Sequence, residues 1–510
     1  MSNSTTAASG SPAQEKEFLG HPRGLVTLFM MEFFERFTYY GMRAMLVPFL
    51  SMAAVGANPG FGIDEVTANS VYALYTGAAY LGCIPGGWIA DRLIGQRNAV
   101  FVGGIFIAIG NFCLAAATTP TFFYIGLAVI VIGIGLLKPN VSAVVGGLYE
   151  GQSGSRRDSG FSLFYMGINT GAFVGPILAG GIGEKWDWNA GFLTCGIATL
   201  LGVVYFHFSQ KYLGNAGAPP TNVTPEQRKR TWTLIGAIGV FSALGAYLLF
   251  SGENVPTKTQ LAYWLFIAEV ALAVGFFGYV LLFGGLDTAE KKRVGVIIVF
   301  FLCAALFWAG FEQQGTTFNK FAFEFTDRSA LGGFFSDGLH PATWYQSANP
   351  LFIIIFAPFF AWIWFALGVR NLDPSAPAKM GLGLILLGLG FLIMMWAAEL
   401  VVSTNGTVGP TWLLLAYLIH TFGELCLSPV GLSNVTKLAP PKFVGRMMGT
   451  WFLGSAIGNT IAGLAGGHLA AQETSQLPDE FLRMTLIGAG AGIFILLISR
   501  GLRGWIGDHK

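Results

Sequence analysis

The chain has 510 residues, of which 53% are hydrophobic and only 11% are charged, and its net charge is +2. Soluble proteins carry about 25% charged residues, so a fold this poor in charge cannot cover its surface in water and must be solvated largely by lipid. The small net charge, and a sequence without basic stretches that interleave aromatic residues, exclude nucleic acid as a partner.

The N-terminal tail, residues 1–22, is polar and rich in Ser, Thr and Ala. Because it lacks the apolar core of a signal peptide, we expect the first spanning helix to direct insertion. The five cysteines lie in apolar stretches without CxxC spacing, which indicates buried small side chains. No metal site or cofactor is expected.

Apolar runs long enough to cross a bilayer recur along the rest of the chain. They predict an all-α polytopic membrane protein with fourteen transmembrane helices, at residues 24–52, 66–94, 98–118, 120–149, 158–182, 187–208, 232–252, 262–284, 294–323, 343–369, 378–399, 410–438, 442–470 and 480–503. With this set, twenty-one Lys and Arg residues fall on the side of the N-terminus and four on the other side. The positive-inside rule then places both termini in the cytoplasm.

Two polar linkers divide the predicted helices into groups. One covers residues 209–231, with prolines at 219, 220 and 225, and the other covers 285–293. We therefore expect five segments, namely a cytoplasmic tail (1–22), an N-terminal six-helix bundle (23–208), a linker with an inserted helix pair (209–293), a C-terminal six-helix bundle (294–503) and a second cytoplasmic tail (504–510). Two six-helix halves around a central site suit an alternating-access carrier.

The connection between the second and third spans reads GWIADRLIGQR from Gly87 to Arg97. It resembles the GxxxDRxxG loop of the major facilitator superfamily. Asp91 and Arg92 are then expected to brace neighbouring helix ends as a cytoplasmic latch. The alternative is a plain turn that carries positive-inside charges.

We select eight of the ionisable residues inside predicted spans, where each ionised group near the bilayer centre costs about 2.5–3.5 kcal/mol. They must face a wet cavity or one another, and four are cations and four are carboxylates: Arg36, Arg43, Lys138, Lys320, Glu32, Glu35, Glu312 and Glu424. Three of them, Glu32, Glu35 and Arg36, belong to the same five-residue stretch of the first predicted helix.

Helical periodicity places polar residues of the first span on one face, at positions i, i+3, i+4, i+7, i+8 and i+11. They are Glu32, Glu35, Arg36, Tyr39, Tyr40 and Arg43. Such a face can take up protons and hold a carboxylate. The alternative is a salt-bridged packing seam.

Six short motifs follow one another along nearly the whole chain. They read EFFERFTYYG (32–41), KPN (138–140), FYMGINTG (164–171), FWAGFEQ (307–313), QSANP (346–350) and GELCLSP (423–429). In this order they resemble the signatures of the bacterial proton-dependent oligopeptide transporter (POT/PTR) family of the major facilitator superfamily. The resemblance implies a proton-coupled symporter of di- and tripeptides in the bacterial inner membrane, without enzymatic activity.

A short peptide is a zwitterion, so its recognition needs a cation for the carboxylate and acceptors for the ammonium group. Arg36 and Lys138 suit the carboxylate, whereas Asn169, Asn349 and Glu424 suit the amino end, and the resemblance implies the same roles. The other residues expected in the substrate site are Tyr40, Arg43, Tyr80, Trp308, Ser428 and Trp451. The tryptophans could equally be packing residues or interfacial anchors.

Proton coupling is assigned to the carboxylates of Glu32, Glu35, Glu312 and Glu424. A buried carboxylate stays ionised while it is paired with a cation and takes up a proton when it loses that partner. Helped by the family picture, we expect Glu312 to pair with Arg43 and Glu424 with Lys138.

Other readings remain open at this point. A major-facilitator carrier for another small solute, such as nitrate or a drug, would share the fold. An intramembrane enzyme would need a nucleophile and base or a metal set at membrane depth, and the sequence has no GxSxG or HExxH motif. A channel fits the buried charges and the two-half plan less well than a gated carrier.

Overall fold

The computed structural model describes residues 17–18, 20–220, 223–233, 235–237 and 255–506. Within these residues the fold is helical apart from two short antiparallel strands, β1 (Glu17–Phe18) and β2 (His21–Pro22). The first eight α-helices are α1 (Gly24–Ser51), α2 (Glu65–Leu81), α3 (Cys83–Ile89), α4 (Gln96–Ala115), α5 (Pro120–Leu148), α6 (Gly154–Gly175), α7 (Gly181–Lys185) and α8 (Trp188–Ser209).

The second group of α-helices follows the linker. It consists of α9 (Lys258–Phe283), α10 (Thr288–Phe311), α11 (Thr317–Glu324), α12 (Ala348–Val369), α13 (Ala376–Thr404), α14 (Thr411–Leu438), α15 (Val444–Ala470) and α16 (Leu477–Ile506). A single π-helical turn at Ala90–Ile94, followed by Gly95, connects α3 to α4. A second π-helical turn at Pro176–Gly180 connects α6 to α7. The 3-10 turns are Gln210–Leu213, Glu312–Gly315, Gly332–Phe334, Ala342–Ser347, Pro441–Phe443 and Thr474–Gln476.

Several helices begin where the sequence supplies a capping side chain. The Asp64 carboxylate accepts from the Thr67 backbone N–H at the start of α2. The helix α9 begins with a capping box in which Thr257 and Gln260 satisfy each other's backbone N–H groups. These contacts replace the hydrogen bonds that the first turn of a helix lacks.

Ten helices within the described residues are long and apolar enough to cross a membrane. The helix α1 is not among them, because it carries Glu32, Glu35, Arg36 and Arg43. Thirteen of the fourteen predicted spans nevertheless coincide with helices, with ends that differ by a few residues. The remaining span, 232–252, lies outside the described residues except at 232–233 and 235–237, which are helical. The count of fourteen therefore stays a prediction.

The buried apolar side chains form two clusters that divide the chain. One cluster contains residues between Leu25 and Leu213, and the other contains residues between Ala273 and Ile506. Helix α1 packs against α6 and α8 in the first part, and α13 packs against α14 and α16 in the second. We call the helices α1–α8 the N-half and the helices α10–α16 the C-half. Helix α9 is counted in neither half, although its apolar side chains pack against the second cluster.

Close packing within the N-half depends on glycine. A Cβ at Gly171 or Gly175 of α6 would collide with the carbonyl oxygen of Phe33 or Phe37 on α1. The missing side chains let the two helices approach closely, as small residues do in membrane proteins. This contact holds α6 beside the polar face of α1.

The two halves meet along a seam between α2 and α15. Helix α9 packs against both of these helices, on the outside of the seam. The polar groups described next lie where the halves face each other.

Candidate functional site

The polar face of α1 is buried in the interior of the protein. The side chain of Arg36 is 4% exposed, and its guanidinium pairs with two carboxylates of the same helix. Its Nη2 donates to Glu35 Oε1 at 2.6 Å, its Nε also donates to Glu35, and its Nε lies 3.3 Å from Glu32 Oε1. A fork of parallel donors matches a carboxylate, so Glu35 occupies the position that a ligand carboxylate would take.

Lys138 of α5 lies beside this cluster, against two tyrosine rings. Its Nζ is 3.8 Å from the ring centroid of Tyr80 and 5.9 Å from that of Tyr39. In the part of the chain that the structure describes, no carboxylate oxygen lies within 4.0 Å of it. The aromatic faces stabilise the ammonium group, yet leave it available to an anion.

Arg43 joins α1 to the C-half. Its Nη1 donates to Glu312 Oε2 at 2.7 Å and its Nε to Gln346 Oε1 at 3.2 Å. Its guanidinium also lies 4.7 Å from the ring centroid of Tyr40. The expected pairing of Glu312 with Arg43 is therefore present in the structure.

Glu424 of α14 is held by neutral groups. Its Oε2 accepts from Asn349 Nδ2 at 3.0 Å, and the same amide nitrogen donates to Thr421 Oγ1 at 2.9 Å. The expected pairing with Lys138 is wrong for this conformation, because Lys138 lies over tyrosine rings instead. Sequence spacing could not place two groups that belong to different halves.

The remaining candidates for the substrate site lie in different surroundings. Asn169 is buried and donates from Nδ2 to the Tyr165 carbonyl at 2.9 Å, and Ser428 is half-buried. Trp308 is half-buried and packs edge-on against Phe307 and Phe311.

Trp451 is only 6% exposed and belongs to the apolar cluster of the C-half. Its ring packs so closely against Gly431 that a Cβ on that glycine would overlap it. In this conformation Trp451 is thus a packing residue, as the second interpretation of the tryptophans allows.

The predicted latch residues do not pair with each other. Asp91 Oδ1 accepts from Gln96 Nε2 at 3.1 Å, and the Arg92 guanidinium lies 5.4 Å from the Trp88 ring centroid. Arg97, from the same motif, donates to the carbonyls of Gly214 and Ala216. The observed contacts of this motif therefore lie within the N-half and its linker.

Contacts between the halves concentrate at the end where α1 ends and α2 begins, which we call the far end. Arg328 Nη1 donates to Glu184 Oε1 at 2.8 Å, and Lys320 pairs with Glu65. Three further contacts cross at this end, from Lys185 to Asp337 (2.7 Å), from Ser347 to the Phe173 carbonyl (2.7 Å) and from Trp344 to the Ile177 carbonyl (3.1 Å). Together these contacts close the far end.

Three residues of the site were not among the substrate-binding and proton-coupling residues assigned from the sequence. Gln346 accepts a hydrogen bond from Arg43, and the ring centroid of Tyr39 lies 4.8 Å from the Arg36 guanidinium. Thr421 accepts from the same Asn349 amide nitrogen that donates to Glu424. A signal existed for each of them. Gln346 begins the QSANP motif, Tyr39 lies on the polar face of α1, and Thr421 precedes Glu424 by one helical turn.

The arrangement leaves two complementary charged groups without an opposite charge, one on each half. Lys138 is a cation without a carboxylate within 4.0 Å, and Glu424 is a carboxylate without a cation within 4.0 Å, among the described residues. Within the same residues, no group of three or more His, Cys, Asp and Glu side chains could hold a metal ion. A small molecule with charges of both signs would satisfy both groups.

Comparison with known proteins shows one consistent likeness. A model of the POT family matches residues 97–479. The chain is 37% identical to peptide transporter YePEPT of Yersinia enterocolitica subsp. palearctica, over 98% of this chain and 97% of the relative. It is 35% identical to a di-/tripeptide transporter of Lactococcus lactis subsp. cremoris, over 97% of this chain and 99% of the relative. A crystal structure of a peptide transporter POT in complex with sulfate superposes with a TM-score of 0.89 at 37% identity, covering 96% of this chain and 97% of that chain.

Proposed function

The chain belongs to the POT family, whose members are membrane transporters and not enzymes, and we propose that it imports di- and tripeptides together with protons by alternating access. The relatives named as peptide and di-/tripeptide transporters match almost the whole chain and support this substrate class.

The observation that carries the proposal is the unmatched pair of Lys138 and Glu424 on opposite halves. A zwitterionic peptide supplies a carboxylate for Lys138. Arg36 also binds this carboxylate once protons have neutralised Glu32 and Glu35, with which it is paired. Its ammonium group approaches Glu424 and the amide oxygens of Asn349 and Asn169. The middle of the site must accept different peptide side chains, and it is lined by Tyr40, Tyr80, Ser428 and Trp308.

Proton coupling follows because the glutamates of the protein and the carboxylate of the peptide compete for the same cations. When Glu32 and Glu35 are ionised they hold Arg36, and when they take up protons they release it for the peptide. Glu312 holds Arg43 in the same way, and its protonation frees the contact between the halves. Loss of protons to the cytoplasm restores these ion pairs and expels the peptide.

We place the fourteen helices in two six-helix bundles with the inserted pair between them, in the inner membrane of a bacterium and with both termini cytoplasmic. In this orientation the closed far end faces outward. The conformation, in which these ion pairs are formed, then corresponds to the stage after protons and peptide have left toward the cytoplasm.

A carrier of a plain anion such as nitrate would use the cations but not the Glu424 and Asn349 pair. We therefore test uptake of a labelled dipeptide into proteoliposomes under an imposed pH gradient, acidic outside. Unlabelled di- and tripeptides should compete strongly, whereas tetrapeptides and N-acetylated dipeptides should compete weakly. Uptake that ignores the gradient would refute the coupling, and equal competition by the N-acetylated dipeptide would refute the assigned amino-end site.

A further inference from the structure

A second buried carboxyl group lies outside the central site, on the helix α9 that the central mechanism does not use. Glu269 is 0% exposed, although most of α9 is apolar. Its Oε1 accepts from Thr460 Oγ1 of α15 at 3.2 Å, and its Oε2 has no hydrogen-bond partner among the described residues. A buried group with one neutral donor requires a physical explanation.

The Glu269 carboxyl lies at the seam between the two halves. Helix α9 packs against α2 of the N-half and α15 of the C-half. Nearer its start, Thr259 Oγ1 lies 2.8 Å from Ser70 Oγ of α2. A Cβ at Gly77 of α2 would come within 3.2 Å of Glu269 Oε1, so glycine keeps the room in which the carboxyl sits. The inserted helix is thus joined to the N-half at one level and to the C-half at another.

Among the residues that the structure describes, no cation compensates a negative charge at this position. In the part of the chain that is described, no Lys, Arg or His nitrogen lies within 4.0 Å of the Glu269 oxygens. The titratable residues of α9 and of the helices packed against it are Lys258, Tyr263 and Tyr279 on α9, Glu65, Tyr72, Tyr75 and Tyr80 on α2, Glu290, Lys291, Lys292, Arg293 and Cys303 on α10, and Arg446 and His468 on α15. An ionised carboxylate without a partner at this depth is strongly unfavourable, so the neutral acid is the form that fits this packing.

We propose that Glu269 is a proton-binding site separate from the central cavity, and that its proton is exchanged when the seam between α2 and α15 parts. In the closed seam the carboxyl keeps its proton. When Thr460 moves away from Gly77, water reaches the carboxyl, which transfers the proton to water and remains as a hydrated carboxylate. The proposal rests on proton-coupled transport and gives the inserted helix pair a role in it.

The presence of a proton on Glu269 can be tested without any transport measurement. Infrared spectra of the purified full-length protein in lipid are compared for the parent, Glu269→Gln and Thr460→Val. The difference between the parent and Glu269→Gln should contain the carbonyl stretch of a carboxylic acid, and Thr460→Val should shift that band because its donor is removed. Glu399→Gln, which changes an exposed glutamate of α13, serves as the matched control and should remove only carboxylate bands. Carboxylate bands in the Glu269→Gln difference would overturn the proposal.

Exchange of the proton is tested by the number of protons carried per dipeptide, measured from the pH gradient at which dipeptide flux reverses. This number should be lower in Glu269→Gln than in the parent and unchanged in Glu399→Gln. An acid band together with an unchanged number would show a permanently held proton and would overturn the exchange step. A parent protein whose flux ignores the gradient would instead refute the proposed function, while the infrared result would still stand.

Discussion

Arg43 and Glu312 lie 269 residues apart in the chain, yet their side chains meet at 2.7 Å in the interior. Arg43 is 1% exposed and Glu312 is 3% exposed, so water does not weaken the pair. Gln346 and the ring of Tyr40 complete the surroundings of the guanidinium. This pair joins α1 to the 3-10 turn that follows α10, and so links the two halves.

Removal of either partner should leave an unpaired buried charge, which costs about 3–5 kcal/mol. We expect Arg43→Ala and Glu312→Ala each to lower thermal stability and to lower dipeptide uptake at least tenfold. The double variant should be less damaged than the sum of the single changes, because it leaves no unpaired charge. Additive losses in thermal unfolding would contradict a direct pair, and Lys185→Ala, at an ion pair with the exposed Asp337, provides a milder comparison.

The helices and the polar face of α1 could be predicted from the sequence for simple reasons. Apolar runs mark spans, and helical periodicity brings Glu32, Glu35 and Arg36 together because they belong to one helix. Prediction of the contact between Arg43 and Glu312 also required the resemblance to the family. Contacts between distant segments depend on which helices face each other, and periodicity does not contain that information.

The same limit explains the pairing that was wrong. Glu424 and Lys138 belong to different halves, and the distance between them depends on how the halves are placed. Glu269 shows the limit in another way. It lies in the predicted span 262–284, for which no site residue was expected, and only its contact with Thr460 identifies it as a seam residue.

Glu35→Gln should abolish proton-driven accumulation of dipeptide while exchange of dipeptide across liposomes persists. The amide keeps the size of the side chain but cannot gain or lose a proton, so Arg36 is held less tightly at every pH. Accumulation and exchange are measured in the same proteoliposomes. Undiminished accumulation in this variant would rule out a coupling role for Glu35.

Lys138→Ala and Arg36→Ala should each reduce transport roughly tenfold or more, because each removes a charge-assisted contact with the peptide carboxylate worth about 1.5–3 kcal/mol. Lys291→Ala is the matched control, since Lys291 is exposed at the start of α10. The measurement is initial uptake over a range of dipeptide concentrations. If either variant transports at the parent rate, the carboxylate site lies elsewhere.

Glu424→Gln should weaken binding of a dipeptide with a free amino group roughly ten- to a hundredfold, as expected for loss of a charged hydrogen bond. The amide still accepts from Asn349, so the local packing is kept. Binding of an N-acetylated dipeptide should be weak in the parent and unchanged in the variant. An equal loss for both ligands would indicate a general disturbance and would contradict recognition of the amino end.

Acid should loosen the far end through His340, which lies in the loop before α12. Burial lowers the pKa of His340 below its usual value of 6.5. Its backbone N–H donates to the Arg328 carbonyl, and its Nε2 lies 3.0 Å from the Tyr345 hydroxyl. Because the unfolded loop binds a proton more readily than the folded loop, the contribution of His340 to stability is present above pH 6.5 and is lost as the pH falls through the lowered pKa.

Hydrogen exchange of residues 326–347, corrected for the intrinsic pH dependence of exchange, measures this loosening. Protection of the parent should fall as the pH drops below 6.5, whereas His340→Asn, which cannot titrate, should show a flatter profile. His207→Asn is the control, because His207 lies at the opposite end of the N-half, near the end of α8. The interpretation fails if His340→Asn loses protection in acid as steeply as the parent, because the titrating group would then be another residue of the far end.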